Sequence, residues 1–151
     1  MRLLPFSAVL VWLGIMAFFA GVVAPAAFAA LDREAAGRFV SAVFPRYYGL
    51  GAALGAVAAI GLGARVAMGP RRSWDWLPLL LVAVMLAATL YAWLSVLPAA
   101  HAAREAMRSG AAVPGSTEAV AFARLHRLSG LLNGAAMVAG VLCLAALGLR
   151  R

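Results

Sequence analysis

The chain has 151 residues, of which 66% are hydrophobic and only 12% charged. Soluble domains carry about a quarter charged residues, so composition excludes a soluble globular domain and points to a membrane protein. The net charge of +8 comes from arginine alone, with no lysine; in a membrane protein this is a topology and headgroup signal, and the loops are too short for a folded surface that binds nucleic acid.

Uncharged runs at residues 3–31, 47–64, 76–100 and 128–149 fix the architecture. Each supplies roughly the 20 helical residues needed to cross a hydrocarbon core about 30 Å thick. They predict spans at about 6–29, 46–65, 76–98 and 126–149 in one domain, 1–151. The runs are apolar all round and rich in Ala, Leu and Gly, unlike the alternating strands of a membrane barrel. The expected fold is therefore an all-α integral membrane protein with four transmembrane helices in an antiparallel bundle. A single cysteine, Cys143, precludes an intramolecular disulfide and reads as a small apolar filler.

The first run begins after Arg2 and contains Ala27-Phe28-Ala29, which fits a signal-peptide cleavage pattern. Its apolar part exceeds the roughly 7 to 15 residues of a signal sequence, so it is read as an uncleaved first span. Gly14, Ala17, Gly21 and Ala24 recur at three- and four-residue spacing, a smooth stripe for close helix contact. Pro25 falls near the end of this span, where the loss of one backbone bond is tolerable.

Residues 32–44 read as a short helix lying in the interface. Asp32 is its N-cap and Glu34 suits its positive start. Ala36, Phe39, Val40, Val43 and Phe44 make the apolar side, and Pro45 is expected to end it. Arg33, Arg38 and Arg46, followed by Tyr47 and Tyr48, have the spacing of lipid anchors. The second span carries Gly51-Ala-Ala-Leu-Gly55 as a close-packing motif. It leads into a basic turn, Gly69-Pro-Arg-Arg, whose flanking Trp74 and Trp76 mark the second interface. The third span runs to Pro98 and emerges through His101 and Arg104, a break follows at 109–115, and Ser116 or Thr117 restarts the last helix.

The two halves resemble each other. Pro25-Ala-Ala-Phe-Ala-Ala with Arg33-Glu-Ala matches Pro98-Ala-Ala-His-Ala-Ala with Arg104-Glu-Ala, and Arg46-x-x-Gly49-Leu matches Arg127-x-x-Gly130-Leu. Two repeated hairpins about an axis along the membrane normal would produce this pattern. Arginine counts on the two sides nearly balance, six against seven. The purely basic flank of the first helix favours cytoplasmic termini in a multi-pass protein of the bacterial inner membrane.

The segments Leu31-Asp-Arg-Glu-Ala-Ala-Gly37, Val43-Phe-Pro-Arg-Tyr-Tyr48 and Phe122-Ala-Arg-Leu-His-Arg-Leu-Ser-Gly-Leu-Leu-Asn133 resemble the transmembrane-protein-205-like family. That resemblance implies a small four-helix membrane protein of unknown function. Some related four-helix proteins are discussed in connection with metal or drug resistance.

Candidate site residues gather at the mouth of the last span. His126, Arg127, Ser129 and Asn133 fall within two helical turns. Either they form a polar entrance, or Asn133 bonds a neighbouring helix as packing glue. His101 and His126 flank one loop and make a candidate metal or haem pair. Neither a third ligand nor an acidic partner accompanies them, so no metal or cofactor is expected.

No metalloprotease, phosphate-loop or nucleophile-elbow motif is present, and no enzyme activity is expected. The expected role is a structural or accessory membrane component packing through Gly14, Gly21, Gly51, Gly55, Gly130 and Gly134. Its partners would be membrane lipids and either copies of itself or another membrane protein. The alternative is a small-solute or metal transport or resistance protein acting as an oligomer.

Overall fold

A computed structural model describes residues 3–68, 76–108 and 116–149. The basic turn with Trp74, the break at 109–115, and Arg2, Arg150 and Arg151 lie outside the described residues. Four helices account for nearly everything else: α1 (Leu3–Ala30), α2 (Arg33–Met68), α3 (Trp76–Arg108) and α4 (Thr117–Gly148). All four are long and apolar enough to cross a membrane. Among the described residues there is no strand.

Local chemistry explains where the helices start. Asp32 caps α2, its carboxylate accepting the N–H of Glu34 at 3.0 Å and of Ala35 at 2.8 Å. Ser116 caps α4 by accepting the N–H of Ala119 at 3.3 Å. Pro5 and Pro78 fall in the first turns of α1 and α3, where a missing N–H costs nothing.

Two other prolines reshape their helices. Within α1 a π-helical turn covers Phe19–Val23 just before Pro25, and within α3 another covers Ala92–Val96 just before Pro98. Ala24 donates back to Phe19, and Leu97 to Ala92, each five residues away rather than four. A proline ring collides with the carbonyl four residues back in a regular helix. One extra residue in the turn ahead of it moves that carbonyl aside.

Pro45 behaves differently, and the expectation of a separate helix at 32–44 is corrected here. α2 continues through Pro45 as one helix of 36 residues, about 54 Å long at 1.5 Å per residue. Proline in a helix interior costs about 3 kcal/mol. Aromatic contacts on both sides of it offset that cost. Phe44 stacks on Tyr48 at 5.6 Å between ring centroids, and Phe19 of α1 contacts both Phe44 and Tyr47, at 5.3 and 4.9 Å. Each such pair contributes about 0.5–1.5 kcal/mol beyond burial.

The core is filled by side chains. Trp12, Met16, Tyr48 and Met85 are at most 2% exposed, with Val9, Val82 and Cys143 beside them. Small residues set the helix separations. A methyl group on Gly55 would lie 2.5 Å from Leu86 and 2.7 Å from Trp12, and one on Gly140 would lie 2.7 Å from Leu13. Trp12 also covers Gly51, Pro5 covers Gly61, Trp93 approaches Gly49, and Arg104 covers Gly37.

The inward positions recur between halves. Pro5, Val9, Trp12 and Met16 of α1 are buried, and so are Pro78, Val82, Met85 and Thr89 of α3, each 73 positions later. Gly55, Ala58 and Leu62 of α2 correspond in the same way to Ala136, Ala139 and Cys143 of α4, 81 positions later. The π turns obey the first of these offsets.

Candidate functional site

Polar side chains of α2 and α4 meet inside the bundle. Ser129 and Asn133 are four residues apart and share one face of α4. Tyr47 and Tyr48, adjacent on α2, both reach that face. The Tyr47 hydroxyl donates to Asn133 Oδ1 at 2.9 Å. Asn133 Nδ2 donates to the Tyr48 hydroxyl at 3.3 Å and to the Ser129 carbonyl at 3.0 Å. The Tyr48 hydroxyl and Ser129 Oγ are 3.1 Å apart.

This arrangement uses both donors and the acceptor of the Asn133 amide. Among the described residues, no buried side-chain nitrogen or oxygen lacks a partner. In an apolar surrounding such closure matters, because an orphaned polar group costs about 1–3 kcal/mol. Phe19 and Phe44 wall the tyrosines on the other side.

The sequence's polar group at the mouth of the last span therefore divides. Ser129 and Asn133 turn inward, whereas His126 and Arg127 are exposed. His126 stacks on Phe122, with 6.3 Å between ring centroids. Tyr47 and Tyr48, read as headgroup anchors, belong to the interior network instead; Tyr48 is 2% exposed. Arg33, Arg46 and Trp76 remain outward, and Arg46 bonds back to the Ala42 carbonyl at 3.3 Å. Trp74 lies outside the described residues.

The packing glycines also divide. Gly51 and Gly55 hold neighbouring helices close, while Gly14, Gly21, Gly130 and Gly134 face open space with nothing near them. Gly140, Gly61 and Gly37, which the spacing did not single out, make close contacts. Four-residue periodicity identifies a smooth stripe but not the direction in which it faces.

A second polar group lies at the end of the bundle where α2 begins and α3 ends. Arg104 Nη1 donates to the Gly37 carbonyl and to Ser41 Oγ, both at 2.6 Å, and the guanidinium lies over the Phe122 ring at 5.1 Å. Glu34 Oε1 accepts from Arg38 at 2.7 Å and from Arg108 at 3.3 Å. Outside the spans, the two backbone N–H bonds, that of Ala35 foremost, hold the Asp32 carboxyl below its ordinary range. Sequence reasoning missed Arg104. Its signal was its place as the first charge after the uncharged stretch of α3, opposite a glycine that leaves room for it.

The candidate histidine pair has separate neighbours: His101 lines the cavity beside Arg104, and His126 lies against Phe122. Among the described residues, no three His, Cys, Asp or Glu side chains gather as a metal site would need.

Residues 8–109 match the family model described as Domain of unknown function (DUF4149). The chain belongs to this family. The DUF4149 match spans most of α1, all of α2 and all of α3, and ends before α4, so Ser129 and Asn133 lie outside it. No curated protein and no solved structure matches the chain.

Proposed function

We propose that this DUF4149 chain is a structural or accessory component of the bacterial inner membrane, without enzymatic activity, that assembles with copies of itself or with another membrane protein. Its four helices form an antiparallel bundle with both termini cytoplasmic and lipid around it. The opposed order of contacts supports the antiparallel arrangement: Pro5 and Trp12 of α1 meet Gly61 and Gly51 of α2, and Pro78 and Met85 of α3 meet Cys143 and Gly140 of α4. The recurrence of buried positions supports two copies of one hairpin. Kinship with transmembrane-protein-205-like proteins belongs to this proposal and rests on the motifs at 31–37, 43–48 and 122–133.

One observation carries the reading: both N–H donors and the oxygen of the Asn133 amide are already engaged, by the Tyr48 hydroxyl, the Ser129 carbonyl and the Tyr47 hydroxyl. An amide whose hydrogen bonds are already made is suited to fixing one helix against another, not to receiving a solute. Outside the bundle, Gly130 and Gly134 make a small-xxx-small face open to a partner helix.

The competing reading is transport or resistance, with small solutes or metal ions moving between copies. It draws on the same outward glycines, because the core of a single chain is filled by Trp12, Tyr48 and Met85. Light scattering on the detergent-purified chain, beside solute uptake into proteoliposomes, separates the two. The accessory role predicts an oligomer or co-purified complex that Gly134→Leu disperses, with no uptake. Uptake by the wild-type chain that disappears in Asn133→Leu, with assembly intact, would overturn the accessory role in favour of transport.

A further inference from the structure

We propose that the basin between the start of α2 and the end of α3 binds a phosphate group. It is a cavity of about 480 Å³ lined by Arg38, Ser41, His101, Arg104, Glu105 and Arg108. That volume lies within the range of small-ligand sites, about 300–1,000 Å³.

Charge and donor counts favour an oxyanion. Three guanidinium groups line the basin against one carboxylate, Glu105, and Glu34 pairs with two of them from outside the lining. A single oxygen of Glu34 accepts from both Arg38 and Arg108, and Glu105 lies 3.9 Å from Arg108. Arg104 has no carboxylate partner among the described residues. Its Nη1 is spent on Gly37 and Ser41, while Nε and Nη2 make no hydrogen bond there. Guanidinium forks with unused N–H groups match the several oxygens of a phosphate, and they exceed what one carboxylate satisfies.

The site is also built in advance. Arg104 is held by two short bonds, by the Phe122 face beneath it, and by the missing side chain of Gly37. A methyl group on Gly37 would lie 2.8 Å from Arg104 Nη2. The guanidinium plane is thus oriented before any ligand arrives, which lowers the entropy cost of binding. Apart from His101, Arg104 is the first titratable residue after the uncharged stretch of α3. The basin therefore lies at the edge of the apolar band, where a lipid phosphate and a dissolved phosphate are both within reach. The assignment rests on this geometry and is independent of the accessory role; only the lipid source requires that the helices span a bilayer.

The test is thermal unfolding of the detergent-purified chain, followed by tryptophan fluorescence. One arm titrates sodium phosphate against sodium chloride at matched ionic strength. The other titrates phosphatidylglycerol against diacylglycerol, which lacks the phosphate. A saturable rise in Tm is expected with a phosphate-bearing probe and absent with its control. A rise in both arms assigns the site to phosphate from either source, and a rise with phosphatidylglycerol alone assigns it to a lipid headgroup. Arg104→Gln risks loosening the helices, so the deciding variant is Arg38→Gln with Arg108→Gln, both on exposed side chains. It should keep the ligand-free Tm and raise the half-saturating concentration at least about tenfold. No rise with either phosphate-bearing probe, or an unchanged half-saturation in the double variant, overturns the proposal.

Discussion

Tyr48 and Ser129 face each other across the bundle with 3.1 Å between hydroxyl oxygens, and they occupy equivalent positions in the two halves, 81 residues apart. If the halves are two copies of one hairpin, as we propose, a residue that touches its own counterpart lies on the axis relating them, and that axis passes through the polar network. Asn133 breaks the equivalence, because its counterpart on α2 is Ala52.

The network predicts an ordered series of losses. Tyr48→Phe removes a hydroxyl that serves both Asn133 and Ser129, and should destabilise the bundle by about 1–3 kcal/mol. Tyr47→Phe removes one bond and should cost about 1 kcal/mol. Adding Ser129→Ala to Tyr48→Phe should cost less than the sum of the two, because the second change removes a group already left without its partner. Reversible unfolding in mixed micelles measures all of these, and full additivity would show that the hydroxyls do not interact.

The two classes of glycine predict opposite responses. Gly55→Ala forces a methyl group against Leu86 and Trp12 and should cost about 1–3 kcal/mol. Gly134→Ala meets nothing and should leave the isolated bundle unchanged or stabilise it by up to about 1 kcal/mol, the helix-propensity difference. Equal losses at both positions in a monomeric preparation would contradict the inward and outward assignment.

Much of this was legible in the sequence, and the remainder was illegible for definite reasons. Uncharged runs located the four helices because a hydrocarbon interior tolerates no loose charge. The proline and arginine anchors located the two offsets between halves. Pro45 was misread as a terminator because the local rule sees one lost bond, whereas the compensating rings of Phe19, Phe44 and Tyr48 include one that is distant in sequence. Tyr47 and Tyr48 follow an arginine at the start of an apolar run, which is the pattern of headgroup anchors. Their inward direction depends on Ser129 and Asn133, 81 or more residues away. The role of Arg104 was hidden for the same reason, since its seat is Gly37.

Acidification should release the cap of α2. Both backbone donors hold the Asp32 carboxyl below its ordinary value of 3.8. A group depressed in the folded state stabilises above its unfolded value, and that stabilisation is lost as pH falls through the folded value. The amide signals of Glu34 and Ala35 should therefore titrate together with a midpoint below 3.8. Asp32→Asn keeps an acceptor and should abolish the titration. A midpoint at or above the ordinary value would show that the cap does not form in solution.

Topology predicts a further pair of results. With cytoplasmic termini, an alkaline phosphatase fusion at Gly69 should be inactive and one at Gly110 active. The opposite pattern would invert the molecule and place the Arg38, Arg104 and Arg108 basin on the cytoplasmic side.

The π turns ahead of Pro25 and Pro98 each contain one residue more than a regular turn needs. A deletion of one residue within 19–23 or 92–96 therefore leaves every downstream side chain its direction, but it restores the collision between the proline ring and the carbonyl four residues back. The same deletion two turns away would rotate the rest of the helix by about 100°. The surplus residue occupies the same place in both halves. If they descend from one hairpin, as we propose, it was gained before the copying, and the duplication inherited a bend already in use.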